Sequence, residues 1–132
     1  MEPSTRRQPR MNRAILYWRR FETFRRARET FRKKSCIYVL ADQAGEVLRI
    51  GESDDLWQRY VGGTGWMVDA ALHGSGKVIF AAVAPVDLTM RRRIEAALIF
   101  RCQPQYCVQH KLAASPVAPE IEHQGDVPPG LR

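Results

Sequence analysis

Two runs of strand-forming residues, CIYVLA at 36–41 and EVLRIG at 46–51, flank the tetrapeptide DQAG. Apolar and β-branched runs broken by a short Asp- and Gly-containing turn predict a β-hairpin, so the chain must build around a sheet. The second run stops at Gly51 and is followed at once by ESDDLWQRY. Ser53 is placed to cap a helix there, with Asp54 and Asp55 in its first turn, where carboxylates favour the positive end of the helix dipole. VGGTG at 61–65 ends that helix, and WMVDAALHG predicts a second short one that stops at Gly74.

Further along, KVIFAAVAP at 77–85 is apolar almost throughout, as a strand buried on both faces requires. Asp87 then caps a helix predicted from about 88 to 101, whose IEAALIF segment is apolar on every side except at Glu95. After Pro104, QYCVQ reads as a short extended piece. Residues 113–132 carry four prolines and no periodicity, which predicts a disordered tail. The order strand, strand, helix, helix, strand, helix predicts an α+β domain over 35–112, a small three-stranded antiparallel sheet flanked by helices.

Upstream, MEPSTRRQPRMN at 1–12 has little that could pack and is expected to be disordered. From 13 to 34, Tyr17, Phe21, Phe24 and Phe31 recur at spacings of four, three and seven, with Arg19, Arg20, Arg25, Arg26 and Arg32 between them. That spacing predicts a basic amphipathic helix with an aromatic stripe. Charge is concentrated here: residues 1–34 hold 12 Lys or Arg against three Glu, a balance of +9, while the remainder holds 9 against 11, a balance of −2. A basic arm on a nearly neutral body points to a polyanion, nucleic acid first and an anionic membrane surface second.

At 132 residues the chain is one domain's worth, and 45% hydrophobic residues suffice for a core. No apolar run approaches the ~20 residues of a membrane span, and no signal peptide is apparent, so a soluble, cytoplasmic protein is expected. Cys36, Cys102 and Cys107 are an odd, widely spaced set without CxxC, which indicates neither a disulfide framework nor a zinc site.

The hairpin tyrosine, the strand-ending glycine, the arginine on the next helix and the late helical glutamate together resemble the GIY-YIG nuclease domain. CIY at 36–38 stands for the first motif and RIG at 49–51 for the second, and the resemblance spans about residues 36–110. It implies a divalent-metal-dependent endonuclease that hydrolyses DNA phosphodiester bonds, with RNA not excluded. Glu95 would be the metal ligand for Mg²⁺ or Mn²⁺, with waters completing the shell. Tyr38, helped by His73, would orient or deprotonate the attacking water. Arg59 would stabilise charge on the phosphate, and Arg49 would clamp a phosphate where the second motif ordinarily has its tyrosine. Gly51 would let the backbone come close to the substrate, and Arg19, Arg20, Arg25 and Arg26 would hold the nucleic-acid backbone.

Departures from the pattern are Cys36 for the first motif's glycine, Arg49 for the second motif's tyrosine, and Cys107 near the place of a late asparagine, with Gln105 and Gln109 close by. They keep open a second class of function, a catalytically degenerate nucleic-acid- or protein-binding module. Each residue also has a purely structural reading. Tyr38 suits a cross-strand aromatic, Arg59 an i−4 pair with Asp55, and Glu95 a pair with Arg91 or Arg92. His73 suits a helix end and Glu52 a bystander beside the turn.

Overall fold

The computed structural model describes residues 13–59, 78–104 and 118–131, and the side chain of Arg59 lies outside what is described. The order is β1 (Arg13–Phe21), α1 (Phe24–Thr30), β2 (Cys36–Ala41), β3 (Val47–Ser53), α2 (Leu56–Arg59), β4 (Val78–Val83), α3 (Leu88–Cys102) and β5 (Glu120–Gly125), closed by a 3₁₀ turn at Pro129–Leu131. The strands form one five-stranded mixed sheet in the order β3-β2-β4-β1-β5. The central hairpin and the Asp87-capped helix follow the sequence expectation. Gly45 turns the hairpin at φ +93°, and the Asp42 side chain accepts from the Glu46 N–H at 2.8 Å. Asp87 accepts from the Thr89 N–H at 3.2 Å.

Two expectations are corrected. The 13–34 segment is not one basic amphipathic helix: its first part is a strand, and only Phe24–Thr30 is helical. In β1 the burial alternates, with Ala14, Leu16 and Trp18 inward and Ile15 and Tyr17 exposed, the period of two that a half-covered strand imposes. The aromatic spacing that suggested a continuous helix spans the break at Glu22 and Thr23, where Thr23 caps α1 by accepting from the Arg26 N–H at 3.2 Å. The three-stranded antiparallel sheet is likewise too small. β1 adds antiparallel to β4, and β5, drawn from the supposed tail, adds parallel to β1. The expectations for residues 1–12, for the helix at 66–74 and for QYCVQ fall outside the described residues.

Alternation divides the sheet into two covered faces. Ile37, Val39 and Ala41 point to one side with Ile50, Phe80, Ala82, Leu16 and Trp18, and Ile94, Leu98 and Ile99 of α3 close over them. Cys36, Tyr38, Ile79 and Ala81 point to the other, under Phe24 and Ala27 of α1, with Phe31 and Leu56. Fully burying one such large side chain contributes about 1.5–3 kcal/mol, so both helices are held chiefly by their apolar faces. No helix among the described residues is long and apolar enough to cross a membrane.

A polar pair fastens β5. The Trp18 indole N–H donates to Nδ1 of His123 at 3.0 Å, which makes His123 a neutral imidazole with its proton on Nε2. Burial, and then the Arg101 charge, hold the His123 pKa below its ordinary 6.5. In acid the unfolded chain therefore takes up the proton first. This contribution to stability is complete above about pH 6.5 and is lost as the pH falls toward the lower folded value. Melting curves between pH 7.5 and 5.5 should show a steeper acid loss for the wild type than for His123→Phe; parallel curves would refute the assignment.

Candidate functional site

The site is built from β3 outward, the outermost of the described strands at its end of the sheet. Tyr38 on β2 stands opposite Gly51 on β3. A Cβ built on Gly51 would lie 2.3 Å from both the hydroxyl and Cζ of Tyr38, so the ring runs across the glycine toward the sheet's edge. Glycine is required here by space, because the φ of Gly51 is ordinary. Gly51→Ala should destabilise the fold by about 1–3 kcal/mol through overpacking, and trimming the neighbour in Gly51→Ala/Tyr38→Ser should recover part of that. A melting temperature unchanged in the single variant would contradict the close approach.

Arg49 pairs with Leu40, two places along, and so shares the Tyr38 face, exposed. Directly after β3 the chain turns into α2. The expected cap at Ser53 is corrected: Ser53 Oγ accepts from the Asp55 N–H at 3.1 Å, and Asp55 caps α2 by accepting from Trp57 and Gln58 N–H at 3.1 and 3.3 Å. A carboxylate so used is a helix-end group, whatever Arg59 does. Leu56, fully buried, anchors α2 on the Tyr38 side of the sheet, and α2 ends at Arg59. His73 falls outside the described residues.

Glu95 arrives from the other side. Its helix, α3, covers the opposite face of the sheet, so Tyr38 and Glu95, which the resemblance assigns to one catalytic site, do not share a pocket on one face. Tyr38 is 2% exposed and packs beside Phe24 of α1. Ala97 and Arg101 share a surface hollow with Ala118, just before β5, and Arg101 is close enough to His123 to perturb it. That flank of α3 therefore faces the β5 end of the sheet. Successive helical residues rotate by about 100°, so Glu95 stands roughly 200° from Ala97 and leans toward β3. Glu95 is half-buried.

Glu52, read from sequence as a bystander, is structural. Its Oε2 accepts from Nε of Arg91 at 3.0 Å, and Arg91 also donates to Ser35 Oγ, Pro85 O and Val86 O at 3.2, 3.2 and 2.9 Å. Arg91 is 3% exposed and thus spoken for, which ties α3 to the end of β3. Of the four backbone-binding candidates, Arg19 and Arg20 sit on opposite faces of β1. Arg19 lies over the Phe21 ring at 5.2 Å, and Arg20 pairs with Glu22 at 2.6 Å. Arg25 and Arg26 are exposed on α1.

Sequence reasoning placed Arg32 only on a basic helix face and missed Arg28 and Trp57; the two guanidiniums lie over the Trp57 ring beside α1 and α2. The i, i+4 spacing of the two arginines was visible; the tryptophan between them was not. Among the described residues no three His, Cys, Asp or Glu side chains group into a metal cage. One half-buried carboxylate, Glu95, is a ligand number that suits Mg²⁺, which keeps several waters and takes one or two protein carboxylates. Comparison with protein-family models, with curated proteins and with solved structures found no match.

Proposed function

We propose that the chain is a divalent-metal-dependent endonuclease of GIY-YIG type, cleaving DNA at the outer edge of β3. The observation that carries this reading is the passage of the Tyr38 ring over Gly51. The ring, 2% exposed and packed beside Phe24, ends over the backbone of the outermost described strand, at a position where a side chain on residue 51 would displace it. Glu95, on the α3 flank turned to the same strand, would hold Mg²⁺ or Mn²⁺. When bound, the ion supplies charge to offset that building on the phosphate and its leaving oxygen.

The remaining roles belong to the chain's own groups. Tyr38 would hydrogen-bond the attacking water and fix its line of approach. Arg49, exposed on the same face, and Arg59, at the end of α2, would donate to the non-bridging phosphate oxygens. Glu52 and Arg91 would keep α3, and with it Glu95, in register with β3. Supercoiled plasmid should be nicked with Mg²⁺ or Mn²⁺, lose that activity in EDTA, and regain it when the ion is restored. Nicking that persists in EDTA would contradict the metal role.

Arg49 favours one alternative. A guanidinium only donates hydrogen bonds, so it cannot accept a proton from water as a tyrosine at this position could. A domain that binds nucleic acid without cutting it would give retained binding and no nicking with either ion.

A further inference from the structure

The described arginines differ in how their charge is met. Arg13 faces Glu120 and Glu122, Arg20 faces Glu22, and Arg91 faces Glu52. Arg28 in α1 and Arg32 just beyond the end of that helix are in no ion pair among the described residues. Their guanidiniums lie instead 4.8 and 4.2 Å from the centre of the Trp57 ring. Arg28 spends one N–H on the Trp57 carbonyl at 2.7 Å, and its Nε is buried with no acceptor. Like charges at this spacing repel, and the indole face offsets part of that repulsion while fixing both groups in position. Two pre-positioned guanidiniums with donors to spare are what a phosphate oxygen requires, since planar N–H forks match phosphate geometry.

We infer that Arg28 and Arg32, braced by Trp57, clamp a backbone phosphate of the nucleic acid on one side of the cleavage point. Trp57 stands two residues ahead of Arg59 on α2, and α2 leads directly from the strand that carries Gly51. A strand leaving the β3 edge therefore crosses α2 and meets α1, where Arg25, Arg26, Lys33 and Lys34 continue the positive surface. The inference rests on the nucleic-acid part of the reading above and not on its hydrolytic part. The ligand group is a phosphodiester, in DNA or RNA.

The test measures binding of the full-length chain to a short DNA duplex and to RNA of the same sequence by fluorescence anisotropy, across about 50–200 mM salt. Removing a single phosphate interaction reduces the slope of log K against log salt by about 0.9 for duplex DNA, and by about 0.7 for single strands. Arg32→Gln should therefore flatten the slope by about that amount and weaken binding several-fold, whereas Arg32→Lys should retain most of the slope. Arg28→Gln/Arg32→Gln should flatten it further. If the double variant misfolds, the exposed Arg32 decides alone. The more tightly bound polymer identifies the source of the phosphate.

A wild-type slope in a folded Arg32→Gln, or no binding of either polymer by the wild type, overturns the clamp. The two readings fail separately. Absent nicking with a flattened Arg32→Gln slope removes the hydrolase and supports the clamp. Nicking that depends on Glu95, with an unchanged slope, removes the clamp and leaves the hydrolase.

Discussion

Glu95→Gln should abolish metal-dependent nicking, with a loss of at least about 100-fold, equivalent to about 2.7 kcal/mol of transition-state stabilisation. The substitution keeps volume and hydrogen-bonding capacity but removes the charge that would hold the ion. Glu95 is half-buried on a helix anchored by its neighbours Ile94 and Leu98, so the fold should tolerate the change. Nucleic-acid affinity in the absence of metal should stay within about twofold, because on the proposed reading the arginines on and just after α1, not Glu95, would carry binding. Plasmid nicking at several Mg²⁺ concentrations, together with a melting curve, separates these effects. Undiminished nicking in a folded Glu95→Gln would remove the hydrolase reading, since no other carboxylate of α3 can take over: Glu95 is its sole acid.

The second large effect is one of stability. Glu52→Ala should destabilise the protein by about 3 kcal/mol or more, because it leaves the Arg91 guanidinium buried without its counter-charge. The ion pair is short at 3.0 Å, and the two side chains are 4% and 15% exposed. The hydrogen bonds from Arg91 to Ser35 and to the Pro85 and Val86 carbonyls soften the loss without neutralising the charge. Glu52→Gln, which keeps an acceptor, should cost less. Replacing both partners by apolar residues, as in Glu52→Leu/Arg91→Met, should be milder than Glu52→Ala alone. Denaturant unfolding of the three variants measures the order directly. A Glu52→Ala midpoint equal to that of the wild type would show that the pair does not fasten α3 to β3.

These two expectations meet at one place. Arg91 and Glu95 are one turn apart on α3, so the contact that secures the helix against the end of β3 also sets where Glu95 stands. A partly folded Glu52→Ala should therefore lose activity more steeply than its remaining folded fraction accounts for. On the proposed hydrolase reading, Glu52 would act as a positioning residue.

Local chemistry was enough to determine the parts of this protein whose signals lie close together in the chain. The hairpin follows from two apolar runs around Asp42 and Gly45, α3 from Asp87 ahead of a long helical run, and β4 from a segment too apolar to face water. The pairing of Tyr38 with Gly51 does not follow from the turn alone, because a bulge between Leu40 and Ala41 shifts the register by one and brings Gly51 rather than Ile50 opposite Tyr38. Other features needed partners far away. β1 carries both a period of two and aromatic spacings that suit a helix, and its pairing with β4 decided between them. β5, EIEHQG, is polar and looks like a tail; it becomes a strand because β1 offers free backbone groups and Trp18 reaches His123, 105 residues away in sequence.

The same holds for the site. That Glu95 approaches β3 from the face opposite Tyr38 depends on which side of the sheet α3 covers. Nothing within Leu88–Cys102 specifies that side. It is set by burial of Ile94 and Leu98 against Ile37, Val39 and Ile50, and by the Arg91–Glu52 pair. Residue types and their spacing specify what each group would do to a phosphate. Packing between distant segments decides whether those groups meet, because apolar burial has no direction of its own and is satisfied only when the whole core closes.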